Sequence, residues 1–153
     1  MPSPTLSLET ITGQDLVVAL LGVGRRLKAR LPQGHIDPAM MFVLYQIQAN
    51  GPLRVSALAS CMGLDASTAS RHVRHLEDEG YLARAGDPGD RRASRIRLTP
   101  KGRAALARAM RARAAVVDRA IAHWPEEDRA ALTTLLTRLA DSVDRLAADS
   151  EIR

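Results

Sequence analysis

The stretch RAGDPGDRRASRIRLTPKG, residues Arg84–Gly102, sets how the rest of the chain is read. From Arg91 to Arg103 come five arginines and one lysine, with no acid among them. Before the stretch, YLARAG alternates in character; DPGD then has the residue types of a turn, and SRIRL alternates again, placing Ile96 and Leu98 inward and the arginines outward. A period of two on either side of turn chemistry predicts a β-hairpin whose tip is basic.

Two short helices lead into this hairpin. Ser56 to Met62 is apolar at Leu58, Ala59 and Met62 and stops at Gly63, a residue suited to the left-handed end of a helix. Asp65 caps a second helix from Ala66 to about Glu79, with Ala69, Val73 and Leu76 on its inner face and Gly80 closing it. So short a connection makes the helices cross steeply, as in a helix-turn-helix.

Further out, Thr12 caps a helix in which Leu16, Leu20, Val23, Leu27 and Leu31 recur at steps of three and four, the pattern of one buried stripe. Pro32 to Gly34 ends it. Asp37 followed by Pro38 opens a helix through Met40, Val43, Leu44 and Ile47 to Asn50-Gly51-Pro52. After the hairpin, Thr99-Pro100 caps a long helix to about His123, with Leu106, Met110, Val117 and Ile121 in register. Trp124-Pro125 breaks it, and a last helix runs from Glu126 to about Ala148 with Leu132, Leu135, Leu136, Leu139, Val143 and Leu146. Four spans follow: a loose arm (1–12), N-terminal helices (13–50), a helix-turn-helix with its hairpin (51–102) and C-terminal helices (103–153).

Composition agrees. Of 153 residues 46% are hydrophobic but only 3% aromatic, so the core rests on Leu, Val, Ile and Ala, which favours packed helices over a sandwich. The fold class is mostly α with a small β-hairpin. A net charge of +5 suits an anionic partner such as nucleic acid. Leu16–Val23 is far short of the ~20 residues a spanning helix needs, and the start lacks a cleavable-signal pattern, which points to the cytoplasm and no membrane partner. The single cysteine, Cys61, permits no intramolecular disulfide. Flanked by Leu58 and Met62 with no basic residue near it in sequence, it reads as a buried core residue rather than a reactive thiolate.

A helix-turn-helix followed directly by a basic hairpin is a winged helix: the second helix enters the major groove, and the hairpin reaches the backbone or the neighbouring minor groove. The outward face of the second helix carries Ser67, Thr68, Ser70, Arg71, His72, Arg74 and His75. Arginine pairs bidentately with guanine, while serine and threonine reach bases or phosphates. On the wing, Arg91, Arg92 and Arg95 are suited to a narrow groove of strong negative potential. His72 and His75 have a spacing able to share a metal, but they lie on the DNA face without a ligand cluster, so neither metal nor cofactor is expected. Phosphate-cradling glycine loop, nucleophile elbow and HExxH are all missing, which argues against an enzyme.

The chain resembles the MarR family of bacterial transcriptional regulators. The matching residues are VSALASCMGLDASTASRHVRHLEDEGYL as helix-turn-helix and DPGDRRASRIRLTPKG as wing, the family's wing pattern falling on Asp87, Asp90, Arg91, Arg92, Leu98, Thr99 and Gly102. The resemblance implies a homodimer whose first and last helices interleave, set on a pseudo-palindromic operator of double-stranded DNA. It also implies pairing of Asp90 with a wing arginine, Arg92 first, and a small aromatic effector bound around Leu20–Leu27, Met40–Tyr45 and Leu106–Met110, with Arg25 or Tyr45 as a polar anchor. The chain departs at Arg54, where the family commonly has a small capping hydroxyl: either Ser56 caps instead or Arg54 contacts phosphate. The function expected is a sequence-specific repressor released by an effector. The alternative is an architectural or protein-interaction factor with weak sequence preference and no effector.

Overall fold

The computed structural model describes residues 11–32 and 36–151, with backbone alone for Arg91 and 147–151. Most of the expected N-terminal arm, Gly34 and His35 lie outside the described residues. The helices are α1 (Gly13–Ala29), α2 (Pro38–Asn50), α3 (Val55–Met62), α4 (Ala66–Asp78), α5 (Pro100–Ala120) and α6 (Glu126–Glu151). Strands β1 (Leu82–Asp87) and β2 (Asp90–Leu98) form an antiparallel hairpin between α4 and α5. The chain divides into two compact units, one up to Ala114 and one from Ala115.

Helix starts follow the local chemistry. Thr12 and Asp15 close a reciprocal capping box on α1, and Asp37 caps α2 with Pro38 in its first turn. Asp65 accepts from the backbone N–H of Ser67 and of Thr68, each at 2.9 Å, to start α4. Gly63 ends α3 at φ 60°, a left-handed conformation that glycine enters without a Cβ clash.

One apolar cluster binds the first unit. Val43, Leu44 and Ile47 of α2 meet Leu58 of α3, Val73 and Leu76 of α4, Leu82, Ile96 and Leu98 of the hairpin, and Leu106 of α5. Leu53, just before α3, pairs with Ile96 through two backbone hydrogen bonds of 3.1 and 2.7 Å, so the hairpin is continued by a third backbone segment. Burial on α5 is confined to Gly102, Ala105, Leu106 and Ala109, one face of its first half.

The sequence Leu98-Thr99-Pro100-Lys101-Gly102 fixes the step from wing to α5. Leu98 is buried. The Thr99 hydroxyl accepts from the Gly102 N–H at 3.0 Å and approaches the carbonyls of Gly80 at 2.7 Å and Tyr81 at 3.1 Å, to which its single proton can be donated. Those contacts draw α5 so close that a Cβ on Gly102 would lie 2.1 Å from the Tyr81 carbonyl oxygen.

Several expectations are corrected. The α1 stripe is not buried within the chain: Leu16, Leu20 and Val23 are 49%, 46% and 64% exposed, because no element of the core covers them. Met110 and Val117 also lie exposed, beyond the half of α5 that meets the core. Helix α5 ends at Ala120 rather than near His123, and α6 continues to Glu151 rather than Ala148. Cys61 is exposed. At about 100° per residue, Val55, Leu58, Ala59 and Met62 share one side of α3, which turns Cys61 away from it.

Gly102→Ala should destabilise the protein by about 1–3 kcal/mol, the usual cost of forcing a methyl into a packed contact. Urea unfolding would show this as a lower midpoint at unchanged slope.

Candidate nucleic-acid interface

Helix α4 buries Ala69, Val73 and Leu76 and turns the opposite face to solvent. Ser67, Arg71 and Arg74 are exposed, whereas Thr68, Ser70 and His72 are half-buried. The Ser67 hydroxyl donates to Asp65, and the Arg71 guanidinium donates to the Thr68 hydroxyl at 3.2 Å. Arg74 makes no ion pair among the described residues. His72 departs from the expected outward pose: its Nδ1 is buried and has no hydrogen-bond partner. Hydrogen bonds from Ser67 and Thr68 hold the Asp65 carboxyl well below the usual carboxylate range.

On the wing, Asp87 organises the geometry. It is the only charged or polar residue classed as buried among the described residues, at 6% exposure. Its Oδ1 accepts from the Gly89 N–H at 2.9 Å and shapes the Pro88-Gly89 turn. Its Oδ2 accepts from the Nε of Arg54 at 2.7 Å and the Nε of Arg95 at 3.0 Å. The Arg54 bond, the Arg95 bond and the Gly89 N–H, in that order, push the Asp87 carboxyl far below its ordinary value of 3.8. A second tie joins the hairpin to α4, where Glu77 takes Arg84 through both carboxylate oxygens, at 2.9 and 3.1 Å.

The Asp90–Arg92 side-chain pair expected from the resemblance is absent. Asp90 accepts from the Arg92 backbone N–H at 2.9 Å and lies 3.8 Å from Arg54 Nη2. The buried acid is Asp87 instead, at the turn end of β1, where the register shifts between Gly86 and Asp87. The capping alternative at Arg54 is corrected too. It occupies the N-cap of α3 without a side-chain cap bond, and Ser56 does not cap in its place; its guanidinium reaches the wing.

The basic run is therefore divided. Lys101 donates to the Glu79 carbonyl at 2.6 Å and lies over the Tyr81 ring, while Arg103 donates to the Leu98 carbonyl at 3.2 Å. Arg92 and Arg97 are left as exposed guanidiniums with no side-chain partner among the described residues. The Arg91 side chain lies outside the described set. The sequence marks Asp87 as part of the wing pattern and Arg54 as a capping departure or phosphate contact, but not the pairing of the two. The available signals were an arginine where α3 needs a cap and an Asp-Pro-Gly turn with two cations in reach.

A shallow cleft of about 180 Å³ lies among α1, α2 and α5, lined by Lys28, Leu31, Pro32, Ile36, Asp37, Pro38 and Arg113. Arg113 donates to the carbonyls of Ile36 at 3.1 Å and Ala109 at 3.2 Å. Arg25 and Tyr45 do not line it. Among the described residues no three His, Cys, Asp or Glu gather as a metal site, and no helix is long and apolar enough to cross a membrane.

A helix-turn-helix carrying exposed arginines on its second helix, bound to a basic hairpin, defines a winged-helix DNA-binding protein. The sequence profile of the MarR family matches residues 36–94, from the approach to α2 into β2. The chain is 29% identical over 106 residues to the uncharacterized HTH-type transcriptional regulator YxaD of Bacillus subtilis, covering 69% of this chain and 74% of that one. It is 27% identical over 109 residues to the transcriptional repressor MdtR of the same organism, covering 71% and 70%. Among solved structures, the PcaV regulator of Streptomyces coelicolor, in complex with its natural ligand, superposes with a TM-score of 0.67 at 25% identity, over 92% of this chain and 99% of that one. The matched region, residues 36–94, is that of MarR-family transcriptional regulators, and the chain is read as a DNA-binding transcriptional regulator on that match.

Because Asp87 has a depressed folded-state value, its contribution to stability is complete above the unfolded value of about 3.9 and is lost as pH falls through the folded value. Asp87→Asn should lower the melting temperature at pH 7 and flatten its decline between pH 5 and pH 2, read by circular dichroism. An unchanged acid limb would contradict the buried ion-pair assignment.

Proposed function

We propose that the protein is a cytoplasmic homodimeric repressor that binds a pseudo-palindromic duplex and is released by a small aromatic effector. Residues 51–102 read DNA: Ser67, Thr68, Ser70, Arg71, His72 and Arg74 in the major groove, and Arg91, Arg92 and Arg95 at the wing, with Asp90 shaping its turn. Residues 13–50 and 103–153 serve dimerisation and effector binding. The observation that carries this reading is the α4 face, where Arg71 and Arg74 stand exposed on a helix whose other side is locked into the core.

Dimerisation is supported by apolar surface that a single chain leaves exposed. Leu132, Leu135, Leu136, Leu139 and Val143 form such a face on α6, and Leu16, Leu20 and Val23 another on α1. Exposed stripes at helical spacing favour a partner helix. MdtR is named a repressor, and PcaV was solved with its natural ligand. The cleft beside Lys28, Asp37 and Arg113 joins apolar walls to charges of both signs, with Lys28 and Asp37 paired at 3.6 Å, and supports the binding of a small aromatic. Such a molecule lowers DNA affinity to the extent that it prefers the DNA-incompetent conformation.

Fluorescence anisotropy across a salt series, on the duplex upstream of the coding region and on a scrambled duplex, tests the reading. A specific regulator binds the first at least ~10³-fold tighter, whereas equal binding favours an architectural factor. Arg71→Ala should relax discrimination by ~1–3 kcal/mol at one base pair. Arg92→Ala should weaken both duplexes alike and reduce the salt slope. Sedimentation at micromolar concentration should give a dimer, and Leu139→Asp a monomer. A wild-type monomer would end the dimer proposal.

A further inference from the structure

Arg54 and Arg95 share Oδ2 of one buried carboxylate through their Nε atoms. A guanidinium carries five N–H donors, so this grip leaves most of the terminal donors of each arginine unspent. The remaining contacts are long: Arg95 Nη2 to Asp87 Oδ1 at 3.5 Å and Arg54 Nη2 to Asp90 Oδ2 at 3.8 Å. The Arg54 and Arg95 side chains are 45% and 43% exposed, while that of Asp87 is 1% exposed. The acid is thus hidden and its charge spent on two cations that both reach solvent.

We infer that Arg54 and Arg95 form a phosphate-binding pair where the wing meets α3, with Asp87 as the positioning residue that aims them. The inference rests on the DNA-binding reading and gives Arg95, already placed on the wing, a backbone phosphate shared with Arg54. In winged-helix docking the first helix of the motif crosses the backbone while the hairpin reaches the backbone or the adjacent groove. Arg54 stands at the start of that first helix and Arg95 on the hairpin, and Asp87 brings the two guanidiniums together. Their planar forks match phosphate oxygens. The Glu77–Arg84 tie and the Leu53–Ile96 backbone pair hold the hairpin in place, so little freedom is lost when phosphate arrives.

The test compares Arg54→Gln, Arg95→Gln and Asp87→Asn with the wild type by salt-series anisotropy, with thermal melts to establish folding. Each arginine variant should lower the slope of log affinity against log salt by about one. Asp87→Asn makes the protein more positive, so charge alone predicts tighter binding. Loss of aim predicts the opposite, roughly tenfold weaker binding, the worth of one charge-assisted hydrogen bond. Arg54→Lys should retain the slope and recover only part of the affinity.

An unchanged slope for Arg54→Gln overturns the phosphate contact. Equal or tighter binding by folded Asp87→Asn overturns the positioning role. If Asp87→Asn melts below the assay temperature, the two arginine variants and Arg54→Lys still decide the phosphate pair. Were the wild type to bind native and scrambled duplexes alike, the specific-regulator reading would fall, while the slopes on either duplex would still decide this one.

Discussion

A carboxylate taken out of water must be neutralised and hydrogen-bonded, or it reprotonates and the fold around it loosens. Asp87 meets that demand with donors from three places along the chain: Arg54 before α3, the Gly89 N–H in the turn, and Arg95 on the return strand. Meeting it ties the turn end of the wing to the start of the helix-turn-helix. One acid thus helps set the position of the basic hairpin, and part of the positive charge near it serves geometry before it serves DNA.

The apolar core fixes the other end of the same unit. Ile96 and Leu98 point from the hairpin into the cluster around Leu44, Leu58 and Leu76, and Thr99 with Gly102 ties α5 to the carbonyls that follow α4. Wing, α3 and α4 thus share one core, with a polar lock at its edge. A reading head built this way presents arginines at set spacing, which a groove of fixed dimensions requires. The faces of α1 and α6 are the opposite case: apolar surface that the single chain does not cover.

Most of the architecture was legible in the residues. Caps at Thr12, Asp37 and Asp65, the stop at Gly63, the period-two alternation around DPGD, the apolar spacing of α4 and the leucine spacing of α6 each have a local physical cause, and each produced the expected element. Less legible was which apolar stripe would find a partner. Periodicity marks the face of a helix that avoids water, but it is blind to whether that face is covered by the same chain, as on α4, or left open, as on α1.

The candidate site divides along the same line. Sequence by itself determined that a short helix carrying Ser67, Arg71 and Arg74 would precede a basic hairpin, because capping, turn chemistry and side-chain alternation act over a few residues. Tertiary structure alone decided which charges meet: that Asp87 rather than Asp90 is buried, that Arg54 spans 33 positions to reach it, and that Cys61 is exposed while the Nδ1 of His72 is turned inward. The physical reason is that a salt bridge depends on where folded segments bring charged atoms within about 4 Å, and neither periodicity nor composition encodes that distance.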